Sequence, residues 1–156
     1  MRVLIAGLGN LLLRDDGVGV HAIRSMGNDL PPGVLAVEVG TAVLDALHLF
    51  EEAEMVIAID AMKAGGAPGT IYSFQPSDVA APEVPASLHE FGLLSALGLM
   101  EGPSRPEITI LGVEPEVIDY GMELSAAVQA ALPRLVRAAR DLAGRYLKET
   151  GVHCHV

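Results

Sequence analysis

Asp16, Asp60 and His89 are the residues through which this chain could do chemistry. Asp16 closes the segment Gly7-Leu8-Gly9-Asn10-Leu11-Leu12-Leu13-Arg14-Asp15-Asp16, Asp60 follows the apolar run Val56-Ile57-Ala58-Ile59, and His89 comes after a stretch with three prolines at 76–85. Two carboxylates and one imidazole make a partial coordination sphere with open positions, which suits a divalent cation shared with a substrate. No thiolate joins them, so a closed structural zinc site is not expected. Donor softness leaves nickel, zinc, iron and manganese open. Nucleophilic catalysis has less to work with. There is no Gly-x-Ser-x-Gly elbow, and the only cysteine, Cys154, is the third residue from the C-terminal end.

These side chains meet only if the backbone brings them together. Residues 3–6 and 55–59 are apolar without alternation and read as central parallel strands buried on both faces. Residues 34–39 alternate more and suit a strand nearer the edge. The turn Gly65-Gly66-Ala67-Pro68-Gly69 leads into 70–74, an antiparallel edge strand, and 108–113 is the last strand. Helical patterns fall at 17–29, 42–53, 89–101 and 126–148. The last places Val128, Leu132, Leu135, Val136, Ala139, Leu142, Ala143 and Tyr146 on one face, with Ser125 as N-cap and a kink expected at Pro133. The order predicts an α/β fold: a three-layer α/β/α sandwich around a five-stranded, mostly parallel sheet with one antiparallel edge strand. In such a sheet strands 1 and 3 adjoin at the switch point, so Asp16 and Asp60 share one rim and His89 completes it. Asp15 is expected to cap the helix that presents Asp16.

Composition narrows the class further. A chain of 156 residues, 51% apolar, holds one domain (1–156, with a frayed tail from about 150). Twenty acids against ten bases give a net charge of −10, which repels phosphate backbones and argues against nucleic acid. The lone cysteine and the absence of a longer apolar leader point to the cytoplasm. The apolar stretch 91–100 is about half a membrane span, so no membrane insertion is expected. The dinucleotide fingerprint fails, since Leu12 stands where the third glycine belongs. His21, His48 and the tail His153-Cys154-His155 are not expected to be physiological ligands.

Gly7-x-Gly9-Asn10-x3-Arg14-Asp15-Asp16-Gly17-x-Gly19, Asp60 in Ile-Asp-Ala, Ala67-Pro68-Gly69-Thr70 and His89 before Gly92-Leu93 together resemble the maturation endopeptidases of NiFe hydrogenases. The similarity runs through Gly112-Val113-Glu114-Pro115-Glu116 into the final helix. It implies removal of a short C-terminal peptide from the hydrogenase large-subunit precursor after nickel insertion. It also implies that Asp16, Asp60 and His89 contact the nickel carried by that precursor and take part in the cleavage; another divalent metal is expected to be able to occupy the site in vitro. Many relatives have Glu at the Asp16 position, and a double glycine before the threonine where this chain has Val39-Gly40-Thr41. Gly7, Gly9 and Asn10, with Gly40 and Thr41, are expected to form the substrate cleft, since glycine permits close backbone approach and Asn tolerates left-handed geometry. Either the metal or a carboxylate then activates the attacking water. A monomer is expected. The rival readings are a nickel-recognition module that does not cut, and a peptidyl-tRNA hydrolase-like enzyme sharing the opening Gly-x-Gly-Asn; the acidic charge disfavours the second.

Overall fold

The computed structural model describes residues 1–76 and 105–151. Its strands are β1 (Val3–Leu8), β2 (Val34–Gly40), β3 (Met55–Ala61), β4 (Ile71–Phe74) and β5 (Glu107–Val113), and its helices α1 (Val18–Met26), α2 (Leu47–Glu52) and α3 (Ala126–Gly151). They form one sheet in the order β2-β1-β3-β5-β4, parallel except for the β4–β5 pair. β1 and β3 are neighbours, with Val3 opposite Met55 and Gly7 opposite Ile59. Every residue of both strands is buried, whereas β2, on the edge, is mostly half-buried.

Strand alternation sorts the core into two layers. Val3, Ile5, Met55, Ile57 and Ile59 pack with α1 and α3; Leu4, Ala6, Leu8, Val56 and Ala58 pack with Phe50 of α2. This is the three-layer sandwich expected. α3 buries Val128, Leu132, Leu135, Ala139 and Ala143, with Val136, Leu142 and Tyr146 packed at the border. Its first turn is capped as expected: the Ser125 carbonyl accepts from the Gln129 N–H at 2.8 Å and its hydroxyl from the Val128 N–H at 3.4 Å. Pro133 lies inside the helix.

Several boundaries differ from expectation. β1 runs two residues further, through Gly7-Leu8, because Gly7 still pairs on both sides, with Glu38 and with Ile59. The first helix stops at Met26 because Gly27 takes a positive φ of 67°. The helix expected at 42–53 is divided into a 3-10 turn, Leu44–Ala46, and the short α2, with no side-chain cap on either. The expected helix at 89–101, with His89, and the tail His153-Cys154-His155 lie outside the described residues. Among the described residues no helix is long and apolar enough to cross a membrane.

Candidate active site

β1 leaves the sheet through Gly9, and the site is arranged around that residue. Its φ of 108° suits only glycine, and a Cβ there would stand 1.9 Å from the Asp16 carbonyl oxygen and 3.2 Å from Asp60 Oδ1. The Gly9 N–H donates to the Gly40 carbonyl at 3.0 Å. The ends of β1, β2 and β3 and the first βα turn therefore converge on one glycine, at the switch point where open sheets bind ligands.

Both acids are held in place by backbone amides. The Asn10 N–H donates to Asp16 Oδ2 at 2.9 Å, and the Ala61 N–H to Asp60 Oδ1 at 2.8 Å. Asn10 sets the turn as well: its Oδ1 accepts from the Leu12 N–H at 2.9 Å, and its carbonyl from the Leu13 N–H at 3.1 Å. Asp16 is 6% exposed and Asp60 1%. Carboxylate oxygens are hard donors of the kind that divalent cations take, and this turn holds two such groups out of bulk water. His89 is outside the described residues, and among those described no three His, Cys, Asp or Glu side chains form a metal-holding group.

Of the five cleft residues expected, Gly9, Asn10, Gly40 and Thr41 line one open pocket of about 310 Å³. Gly7 does not reach it. A Cβ on Gly7 would lie 2.3 Å from the Gly19 carbonyl oxygen and 2.6 Å from Ile23 Cγ1, so this glycine lets α1 settle on β1. The pocket wall adds the ion pair Arg24–Glu38, which sequence reasoning missed because its partners lie on separate elements.

Asp15 has a different task from the one expected. It makes no cap hydrogen bond to the helix ahead of it. Fully buried, it accepts from the N–H groups of Glu116 (2.9 Å), Val117 (3.0 Å) and Ser125 (2.7 Å) and from the Ser125 hydroxyl (2.7 Å). Burial pushes its pKa up, but the Val117, Ser125 and Glu116 donors outweigh this and hold it below the ordinary 3.8. Asp15 thus ties the turn carrying Asp16 to the segment between β5 and α3. Glu114, also not singled out from sequence, does the same for the loop after Asp60. It is buried, and it accepts from the N–H groups of Ala64 (2.9 Å) and Gly66 (2.8 Å) and from the Tyr72 hydroxyl (3.0 Å). Burial raises its pKa and these donors, led by Ala64, bring it below its usual value. Its position between a buried strand and Pro115 was the available signal. His21 Nε2 lies 3.1 Å from the Met122 carbonyl oxygen, in keeping with a structural role.

A doubly wound sheet with two buried carboxylates at its switch point, beside an open pocket, defines an α/β protein whose site is built from acids. Residues 20–141 match the family model for hydrogenase maturation protease. The hydrogenase expression/formation protein HupD of Rhodobacter capsulatus is 34% identical over 149 residues, covering 90% of this chain and 71% of that protein. The hydrogenase 2 maturation protease of Escherichia coli K12 is 29% identical over 168 residues, covering 98% and 99%. Among solved structures, the hydrogenase maturating endopeptidase HybD from E. coli superposes with a TM-score of 0.80 at 28% identity, covering 97% of this chain and 94% of that one. The NiFe hydrogenase maturation protease HybD from Thermococcus kodakarensis gives 0.78 at 33%, covering 92% and 99%. The chain belongs to the hydrogenase maturation protease family, and is a peptidase.

Proposed function

We propose that this peptidase removes the C-terminal peptide of the nickel-loaded NiFe hydrogenase large-subunit precursor, and that Asp16, Asp60 and His89 grip the nickel that the precursor carries. The observation that supports this most is the convergence of Asp16 and Asp60 on Gly9, at the carboxyl ends of β1 and β3. Nickel is cargo of the substrate here, and the acids read it as a sign that loading is complete. Gripping the metal fixes the nearby scissile amide, so that much of the entropic cost of reaction is met by binding. Hydrolysis then needs a polarised carbonyl and an activated water. The metal supplies Lewis acidity, and a rim carboxylate accepts the proton of the water as its oxygen bonds to the carbonyl carbon, then returns it to the amine as the C–N bond breaks. The pocket beside Gly9, Asn10, Gly40 and Thr41 receives the substrate chain.

The protein works as a monomer in the cytoplasm, with no nucleic-acid partner. The charge of −10 and the single cysteine support that setting.

Asp16→Ala and His89→Ala are expected to abolish processing of nickel-loaded precursor, with a melting temperature close to wild type. Mass spectrometry of the precursor reads the outcome. Cleavage at the wild-type rate by a folded variant would remove that residue from the mechanism.

A further inference from the structure

Four large apolar side chains stand in solvent beside the candidate site. Leu12 is 60% exposed, Ile118 40%, Tyr120 89% and Met122 53%. Single exposed apolar residues are ordinary, but a contiguous set beside a working site marks an interaction surface. Contiguity here is built by the backbone. Leu13 and Gly121 form a parallel bridge; the Arg14 N–H donates to the Gly121 carbonyl and the Gly121 N–H to the Leu12 carbonyl, both at 2.9 Å. Leu12 and Tyr120 each stand one position before the bridged pair, so the bridge sets the two exposed side chains on adjoining segments.

The ledge is stiffly mounted. Asp15 fixes Glu116, Val117 and Ser125 on either side of it, and Arg14 Nε donates to the Glu123 carbonyl at 3.2 Å. The turn that supplies Leu12 also supplies Asn10 and Asp16, so ledge and acids form one rigid surface. Around the apolar residues, Glu116, Asp119 and Glu123 are exposed. An apolar centre with a charged rim, carrying Tyr and Met on a preorganised backbone, is the anatomy of a protein-docking surface.

We infer that this ledge docks the folded body of the precursor, through an apolar patch of that protein edged with lysine and arginine. The inference rests on the processing reading given above. The enzyme then recognises its substrate at two places on one frame: the metal through the acids, and the protein body through Leu12, Ile118, Tyr120 and Met122.

The test uses the full-length wild type, Tyr120→Ser, and the double variant Leu12→Ser/Tyr120→Ser, with nickel-loaded precursor. All three should melt alike, since the altered side chains lie in solvent. Titration of precursor against each immobilised protein should show Kd raised by roughly tenfold or more in the double variant, the loss expected of truncated interface anchors. Steady-state cleavage should show KM rising with kcat nearly unchanged. Kd equal to wild type in the double variant would overturn the ledge. So would a wild type that sediments as a dimer while the double variant is monomeric, which would assign the ledge to a second copy. A wild type that binds precursor without cutting it would overturn the processing reading alone, because the Kd comparison still judges the ledge.

Discussion

A buried carboxylate is costly unless donors meet it, and Asp15 is met by three backbone N–H groups and one hydroxyl. Its chain neighbour Asp16 instead accepts from the Asn10 N–H. Asp15→Ala should therefore cost about 3 kcal/mol of stability, since it leaves charge-assisted donors unpaired. Denaturant unfolding at neutral pH measures this; a loss near zero would contradict it. The pH dependence follows from the lowered pKa. A carboxylate whose folded value lies below its ordinary 3.8 contributes stability above that value and loses it as pH falls through the folded one. The decline in wild-type stability below about pH 4 should thus be shallower in Asp15→Asn. Sequence reasoning divides the two adjacent aspartates into ligand and cap, but the real task of Asp15 was not legible, because its partners lie about a hundred residues away. That Asp16 and Asp60 lie at the ends of β1's turn and of β3 was legible, because each closes a strand-defined segment.

At the level of elements, the critical contact is α1 crossing β1 and β3. A Cβ on Gly19 would stand 2.2 Å from the Ile59 carbonyl oxygen and 2.4 Å from that of Leu8, and these atoms belong to the central sheet and cannot give way. Gly19→Ala should cost about 3 kcal/mol and lower the melting temperature by roughly 6–12 °C. A shift under about 2 °C would mean that α1 can slide without cost. This contact bears on function, because α1 follows directly from the turn that holds Asp16. The strands were readable from apolar runs, and the edge position of residues 34–39 from their alternation. Gly7, expected in the cleft, packs closely under α1, a task that looks identical in sequence to that of a glycine needed in a turn. Gly9 is set apart by its φ of 108° and by its contact with Asp16 and Asp60, properties the chain acquires on folding.

Across the whole molecule, the three-layer sandwich draws residues from the ends of β1, β2 and β3 onto one edge, and it holds that edge with Asp15 and Glu114 from beneath. One rim carries an apolar ledge and two buried carboxylates. On this account the rim reads cargo and carrier together, and cutting depends on both. The most direct test is to incubate the wild-type protein with nickel-loaded and with metal-free precursor and to follow release of the C-terminal peptide by mass spectrometry. Release should occur from the nickel-loaded form and be at least a hundredfold slower from the metal-free form, about 2.7 kcal/mol of barrier. Equal rates on the two forms would contradict nickel reading by Asp16, Asp60 and His89.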